Sequence, residues 1–167
     1  MKTVYILIGS KGSGKSYIGR LLSERLAIPF LRVEDIFLNT ETDDPLKDQD
    51  YISRGYINVE SEIRHLLTGF DEITIESTGI AAQFGEMVAN LRREFDVKLI
   101  KVYSDPELCI RRAINRDQSV HIPVSDNLLR EINKLSDIIL YNFDLIIDNN
   151  QKSDYELVTE FIKKFSE

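Results

Sequence analysis

The sequence feature that most constrains this chain is a glycine-rich segment at residues 9–16, Gly-Ser-Lys-Gly-Ser-Gly-Lys-Ser. It matches the pattern G-x-x-x-x-G-K-[ST], which binds phosphate groups when it joins a buried strand to a helix. Both neighbours have the required character. Residues 4–8 form a continuous apolar run, and apolar residues recur at helical spacing from Ser16 until Pro29. We therefore predict that residues 9–16 form a phosphate-binding loop (P-loop).

The residues of the P-loop have separate predicted roles. Glycines allow backbone conformations that a β-carbon would forbid, so successive N–H groups can converge on phosphate oxygens at the positive end of a helix. Lys15 can reach the β- and γ-phosphates of a nucleoside triphosphate, and the Ser16 hydroxyl is placed to bind Mg²⁺. Lys11 is expected to be a solvated surface lysine. The predicted cofactors are ATP and Mg²⁺, and the predicted cofactor-binding residues here are Gly12, Ser13, Gly14, Lys15, Ser16 and Tyr17.

Strands and helices are predicted to alternate along the chain. Five short apolar runs predict strands, at residues 4–8, 29–33, 73–75, 97–103 and 143–147. Helical patterns lie between and after them, at about 16–28, 56–67 and 83–93 and from about 105 and 153. This alternation predicts an α/β fold, with a parallel sheet covered by helices on both faces. A length of 167 residues suits a single domain.

Three helix starts carry capping signals. Asp105 precedes Pro106, so we expect the aspartate to cap the helix and the proline to occupy its first position. Ser125 is the expected cap of the next helix. Ser153 and Glu156 have the spacing of a capping box, which predicts the start of the last helix.

The charge balance restricts the partners. Lys and Arg number 21 against 28 Asp and Glu, giving a net charge of −7. Such a surface repels a nucleic-acid backbone or an anionic membrane at long range. Nucleic acid and membranes are therefore not the expected partners, and an anionic ligand must be held by a local positive site.

The single cysteine, Cys109, cannot form an internal disulfide and lies in an apolar-periodic stretch, so we expect a reduced thiol in the core. The apolar run at the N-terminus is too short for a signal peptide, and no apolar stretch is long enough for a membrane span. The expected location is the cytoplasm and the expected state a monomer.

Carboxylates follow two of the predicted strands. Glu34 and Asp35 come directly after the second strand, and Glu76 ends the third. With the P-loop, these residues resemble those of the small P-loop kinases: adenylate kinase, shikimate kinase and the kinase domain of polynucleotide kinase. The resemblance runs nearly end to end. It implies a three-layer fold with strand order 2-3-1-4-5, made of a core (1–38, 71–115, 125–167), an acceptor-binding insertion (about 39–70) and a lid (about 116–124).

The resemblance implies roles for the acidic residues. In these kinases, an acidic residue after the second strand orients or deprotonates the acceptor hydroxyl. Asp35 is the first choice and Glu34 the close competitor, because a shift of one position at the strand end exchanges them. Capping of the following helix is the alternative role for either residue. Glu76 would hold Mg²⁺ through water, unless it belongs to an ordinary strand-to-helix turn.

Gly79 would let the backbone approach the acceptor. Shikimate kinases usually carry a glycine triplet at this place, whereas this chain has Gly79 alone. In the same region of these kinases, an arginine of the insertion usually grips an acidic group of the acceptor. The resemblance therefore makes Arg54 and Arg64 substrate-binding candidates, with scattered surface arginines as the alternative.

The segment 112–124 is similar to the lid of these kinases. There the first arginine, Arg112, would pack on adenine, and the second, Arg116, would reach the phosphates and neutralise charge that develops in the transition state. A solvated basic helix face is the alternative. His121 is expected to be a hinge or packing residue. After the fifth strand, Asn149 would border the adenine, or would be a plain turn residue.

The predicted function is that of a kinase, which moves the γ-phosphoryl group of Mg·ATP to a small-molecule acceptor resembling shikimate, a nucleoside or a nucleotide. The alternative is a nucleotide-dependent switch or hydrolase, in which residues 76–79 would be a distorted D-x-x-G element. No guanine-reading N-K-x-D motif follows the fourth or fifth strand, which weighs against that alternative. A binding-only relative is a third possibility.

Overall fold

The computed structural model describes residues 1–43, 45, 48, 50–116, 119, 121–122 and 124–165. The strands of this part of the chain are β1 Thr3–Ile8, β2 Phe30–Leu31, β3 Glu72–Ser77, β4 Asp96–Tyr103 and β5 Leu145–Asp148. They form a parallel sheet in the order β2-β3-β1-β4-β5. The predicted α/β class and strand order are confirmed.

The described residues also form seven α-helices, which cover both faces of the sheet. One face packs against α2, α3 and α4, and the other against α1 and α7. A smaller apolar cluster joins α5 to α6. The helices are α1 Lys15–Leu26, α2 Val33–Leu38, α3 Tyr51–Gly69, α4 Ala82–Leu91, α5 Pro106–Asn115, α6 Asp126–Ile138 and α7 Asp154–Phe165.

The central strand β1 shows why the sheet needs helices on both faces. Its side chains alternate: Val4, Ile6 and Ile8 point into the core beneath α3 and α4. Tyr5 and Leu7 point into the core beneath α1 and α7. Because successive side chains of a strand face opposite sides, a strand without polar positions is stable only when both sides are buried.

Among the elements that differ from their predicted bounds, β2 and α3 differ most at the ends that lie near α2. The second strand contains only Phe30–Leu31, because the chain turns into α2 at Val33 and buries that side chain. α3 begins at Tyr51 rather than Tyr56, since Tyr51 is buried and its hydroxyl donates to the carbonyl of Phe37 at 2.7 Å. The polar stretch before α3 includes residues 44, 46, 47 and 49, which lie outside the described residues.

All three predicted caps lie at the start of a helix, and two of them form the expected side-chain hydrogen bonds. The Ser125 side chain accepts a hydrogen bond from the N–H of Leu128. Ser153 and Glu156 form the predicted capping box, in which the Ser153 N–H donates to the Glu156 carboxylate at 2.8 Å. Asp105 occupies the N-cap position of α5 and Pro106 begins the helix, as predicted, but the Asp105 side chain caps no N–H group of the helix. It accepts a hydrogen bond from the Tyr103 hydroxyl instead.

Cys109 lies in the core as a free thiol, as the sequence predicts. Cys109 is buried on α5 and is free, and burial raises the pKa of its thiol to about 11. No helix in the described part of the chain is long and apolar enough to cross a membrane.

Two helical glycines provide a matched pair for testing the packing. A β-carbon on Gly19 of α1 would lie 2.3 Å from the Phe30 ring, whereas one on Gly85 of α4 would meet nothing within 4 Å. We expect Gly19→Ala to destabilise the protein by about 1–3 kcal/mol through overpacking. Gly85→Ala should stabilise it by about 1 kcal/mol through helix propensity. Urea unfolding measures both, and equal effects would contradict the packing of α1 on β2.

Candidate active site

The P-loop joins the carboxyl end of β1 to the start of α1, as predicted. Gly12 and Gly14 have φ angles of 88° and 99°, which side chains with a β-carbon rarely adopt. A β-carbon on Gly12 would lie 2.0 Å from the carbonyl oxygen of Cys109, and one on Gly14 would lie 2.1 Å from the Asn149 side chain. Both conformation and space therefore require glycine at these two positions.

Lys15 is the buried cation at the centre of the P-loop. Its ammonium group donates to the carbonyl oxygens of Gly9 at 2.7 Å and Ser10 at 2.9 Å. Burial lowers the pKa of Lys15 to about 8, although the carboxylate of Glu76 opposes this effect. The charge is thus fixed in a desolvated position, where it acts strongly on a bound phosphate.

Ser16 and Glu76 form the candidate magnesium site. The Ser16 hydroxyl donates to a carboxylate oxygen of Glu76 at 2.6 Å. A hydroxyl and a carboxylate are hard oxygen ligands, which suit Mg²⁺. In the described residues no cluster of three or more His, Cys, Asp or Glu side chains could hold a metal.

Glu34, not Asp35, faces the P-loop. Both residues lie in the first turn of α2, whose cap is Arg32, so the alternative of a capping role is wrong for each. The Glu34 side chain is 14% exposed and that of Asp35 54%. Asp35 pairs with Arg32 at the surface. The helix therefore points one carboxylate inward and the other outward, and the competitor of the sequence prediction takes the inner position.

The Glu34 carboxylate is held by groups from three parts of the chain, two of which are distant from it in sequence. Lys11 of the P-loop lies 3.7 Å away, and Arg32 lies 3.1 Å away. From the predicted lid, the His121 ring nitrogen lies at 2.6 Å and the Ile122 N–H donates at 2.9 Å. Burial alone would raise the pKa of Glu34, but Lys11, Ile122 and His121 together lower it. Glu34 is therefore kept ionised.

The surroundings of Lys11 differ from the expectation, and those of His121 add a partner that was not foreseen. Lys11 was expected to be solvated, yet its side chain is 17% exposed, and burial lowers its pKa. His121 was expected to be a hinge or packing residue, and its ring packs against the Glu34 carboxylate. In both cases the partner, Glu34, belongs to another segment, which local sequence patterns do not reveal.

Asn133 of α6 is a site residue that the sequence analysis missed. Its side-chain amide accepts from the N–H of Lys11 at 2.8 Å and donates to the carbonyl of the same residue at 2.9 Å. On the same helix, Asp137 accepts from the Ser10 hydroxyl at 2.8 Å. The signal was present in the sequence: Asn133 follows Leu129 at the helical spacing of buried positions, where an apolar residue is usual.

We expect Asn133→Leu to raise the KM for ATP by about tenfold or more, because it leaves the N–H and C=O of Lys11 without partners in a partly buried loop. Initial-rate kinetics over a range of ATP concentrations measures the effect. Asn127→Leu, an exposed position on the same helix, is the matched control. Equal KM values in the two variants would show that α6 does not support the P-loop.

The residues predicted to border adenine meet beside the P-loop. The Asn149 side chain donates to the carbonyl of Ser13 at 2.9 Å. The Arg112 guanidinium donates to the Ser104 hydroxyl at 3.1 Å and to the carbonyl of Asn149 at 3.4 Å. Tyr17 lies on the outer side of α1, 45% exposed, and its hydroxyl bonds to Asp154.

Arg116 follows α5 and lies near the two site carboxylates. Burial lowers its pKa, while Glu34 and Glu76 raise it. Part of the predicted lid, residues 117, 118, 120 and 123, lies outside the described residues.

Gly79 has a φ of 77° and packs against Tyr141. Its N–H donates to the Ser77 hydroxyl, and its carbonyl accepts from the Tyr141 hydroxyl at 2.8 Å. Gly79 therefore lies at the carboxyl edge of β3, as expected. Both of its polar backbone groups bond to protein.

Arg54 and Arg64 both form ion pairs with acidic residues. Arg64 pairs with Glu60 and Glu94, and Glu94 precedes β4 at the sheet edge opposite the P-loop. Carboxylates therefore hold the guanidinium groups of both Arg54 and Arg64, and the substrate-binding role of these two arginines stays a prediction. Arg54 pairs with Asp48 at 2.5 Å. It also lines a surface hollow of about 320 Å³ whose lining residues are Asn39, Thr40, Glu41, Arg54, Ile57 and Asn58.

Comparison with known proteins assigns a family to this arrangement. The sequence profile of the shikimate kinase family matches residues 11–166. The chain belongs to the shikimate kinase family. A shikimate kinase from Clostridium botulinum is 28% identical over 117 residues, which cover 66% of this chain and 70% of the relative.

Solved structures support the fold of this shikimate kinase family member. A sugar kinase from Janibacter sp. superposes with a TM-score of 0.71 at 12% identity, covering 99% of this chain and 95% of that chain. A shikimate kinase from Acinetobacter baumannii, solved with shikimate, gives a TM-score of 0.58 at 18% identity, covering 98% and 92%. The predicted P-loop kinase is confirmed, and the protein is a phosphotransferase with a small-molecule acceptor.

Proposed function

We propose that this shikimate kinase family member uses Mg·ATP to phosphorylate a hydroxyl group of its small-molecule acceptor. The observation that carries the proposal is the position of Glu34. Its carboxylate is held inward, ionised and bound by Lys11, a residue of the P-loop itself. A fixed carboxylate beside a triphosphate-binding loop suits the orientation of an attacking hydroxyl group.

The nucleotide phosphates would lie on the P-loop. Its N–H groups and Lys15 supply the positive field, and the glycine conformations allow the close approach of the backbone. Ser16 and Glu76 would hold Mg²⁺, which when bound offsets negative charge on the phosphate oxygens. At the other end of the loop, Arg112 and Asn149 would border the adenine.

Glu34 and Arg116 would act at the reacting end. The acceptor hydroxyl donates a hydrogen bond to Glu34, and its oxygen forms a bond to the γ-phosphorus as the bond from that phosphorus to the bridging oxygen of ADP breaks. The hydroxyl proton passes to Glu34 and then to solvent. Arg116, which is coupled to both Glu34 and Glu76, would offset the charge that develops on the transferred group.

Transfer of labelled phosphate tests this proposal. The protein is incubated with γ-labelled ATP, Mg²⁺ and a panel of small hydroxyl compounds, and the products are separated. We expect a labelled acceptor that forms only when Mg²⁺ is present. Release of labelled inorganic phosphate at a rate that no compound changes would overturn the proposal in favour of a hydrolase.

A further inference from the structure

The Glu34 carboxylate receives hydrogen bonds on both of its oxygen atoms. The N–H of Ile122 donates to Oε1 at 2.9 Å. The other oxygen, Oε2, lies 2.6 Å from Nδ1 of His121 and 3.1 Å from a guanidinium nitrogen of Arg32. The Lys11 ammonium lies 3.7 Å from Oε1, which is beyond ordinary hydrogen-bond distance. Among the described residues, three donors therefore hold the carboxylate, one on Oε1 and two on Oε2.

These donors do not use the two oxygens equally. An ionised carboxylate can accept about four hydrogen bonds, divided evenly between its oxygens. In the described part of the chain, Arg32 and His121 fill the capacity of Oε2, whereas Ile122 uses half of that of Oε1. Oε1 is also the oxygen nearer to Lys11 of the P-loop. An acceptor hydroxyl can therefore donate to Oε1, on the side of the phosphate-binding loop, without displacing any of these groups.

The short contact with Glu34 fixes which ring nitrogen of His121 carries a proton. Glu34 is ionised, because its hydrogen bonds and the charge of Lys11 outweigh the effect of burial on its pKa. An ionised carboxylate has no proton to give, so the Nδ1 atom of His121 must be the donor at 2.6 Å. Arg32 lies 3.1 Å from the same nitrogen and donates to Glu34 instead of the ring. Glu34 thereby sets the tautomer of His121.

His121 is suited to hold a carboxylate because both partners are shielded from water. The side chain of His121 is 13% exposed and that of Glu34 is 14% exposed. A hydrogen bond to a charged group is stronger in such surroundings than at the surface. The next residue, Ile122, packs against the apolar core beneath α3 and α4. This packing keeps the histidine and the neighbouring N–H in place against Glu34.

We infer that His121 is a positioning residue for phosphoryl transfer, which holds Oε2 of Glu34 through its Nδ1–H and so presents Oε1 to the acceptor hydroxyl. The inference rests on the proposed function and adds to it one residue and one atom. His121 acts through Glu34, and Oε1 of Glu34 is the oxygen that meets the acceptor. In this role His121 orients the carboxylate and does not itself remove the proton.

Two substitutions that retain different nitrogens of the imidazole test the inference. The side-chain nitrogen of asparagine takes nearly the position of Nδ1, and that of glutamine nearly the position of Nε2. We expect His121→Gln to lower kcat by about 10–10²-fold through misplacement of the carboxylate, with the KM for ATP nearly unchanged. His121→Asn should retain most of the rate. The control is His65→Asn, at an exposed position on α3, which should change neither quantity.

The assay separates the inference from the function beneath it. Each protein is given γ-labelled ATP, Mg²⁺ and shikimate, gluconate, glucose or adenosine, and the labelled acceptor is measured. Transfer by the wild type at a rate that His121→Gln and His121→Asn both match would overturn the positioning role and leave the kinase proposal standing. Transfer to no compound by any of the proteins would count against the proposed function itself.

A measurement without turnover tests the bond between His121 and Glu34. The chain has two histidines, so in protein labelled with ¹⁵N-histidine the His65→Asn variant assigns the remaining signals to His121. At about pH 8, above the ordinary pKa of histidine, Nδ1 of His121 should carry a proton. An Nδ1 atom without a proton at this pH would overturn the inference, whatever the activity.

Discussion

Replacing Lys15 by alanine is expected to lower kcat/KM for phosphoryl transfer by about 10²–10³-fold, the usual effect of removing one preorganised charge from a water-excluded site. The Lys15 ammonium is fixed by two carbonyl oxygens of the P-loop and is almost fully buried. Solvent therefore does not screen its action on the phosphates. The loss should be measured with saturating acceptor over a range of ATP concentrations.

Lys98→Ala is the matched control for this variant. Lys98 pairs with Asp96 at the start of β4, at the edge opposite the P-loop. Lys98→Ala should leave the rate of phosphoryl transfer unchanged. The comparison therefore distinguishes the loss of the charge at the P-loop from a general effect of lowering the positive charge of the protein. A Lys15→Ala protein that folds and keeps its full rate would show that this P-loop does not position the reacting phosphate.

The second large effect is expected at Glu34. Glu34→Gln should lower kcat by about 10²–10⁴-fold, the range of general acid–base contributions, with little change in ATP affinity. Asp35→Asn should change kcat little, because the Asp35 side chain is 54% exposed and pairs with Arg32 at the surface. Single-turnover transfer and equilibrium ATP binding measure the two quantities separately.

This pair of variants also checks the assignment between neighbouring carboxylates. Each substitution removes one negative charge from the first turn of α2, so their effects on the helix itself should be similar. If Asp35→Asn were the slower enzyme, the first choice of the sequence prediction would be restored and Glu34 would be a structural anchor for the lid segment. If both kept full activity, neither would orient the acceptor.

The P-loop could be predicted because all of its chemistry lies in one short segment. Glycines, a lysine and a serine at fixed spacing, between an apolar run and a helix, specify both the conformation and the ligand. The strand order followed from the resemblance to P-loop kinases, and the sheet confirms it. The P-loop depends on residues that are adjacent in the sequence, and the strand order depends on a fold that related kinases share.

The choice between Glu34 and Asp35 could not be predicted from the chain alone. It depends on where the second strand ends, and the strand is shorter than its apolar pattern suggests because Val33 enters α2. Because Val33 belongs to the helix and not to the strand, Glu34 points inward and Asp35 points outward. The surroundings of Arg64 could not be predicted for a related reason: its spacing from Glu60 predicts an ion pair, but Glu94, which also pairs with Arg64, is distant in sequence.

The hydrogen bonds around Glu34 also bear on how this enzyme becomes active as it folds. His121 and Ile122 reach Glu34 across sequence separations of 87 and 88 residues. Contacts this far apart carry a high loop-closure entropy until the intervening strands are in place. Catalytic competence should therefore arrive at the end of folding, after the P-loop and its flanking helix have formed. The rate of phosphoryl transfer would then report the completed tertiary structure rather than its local parts.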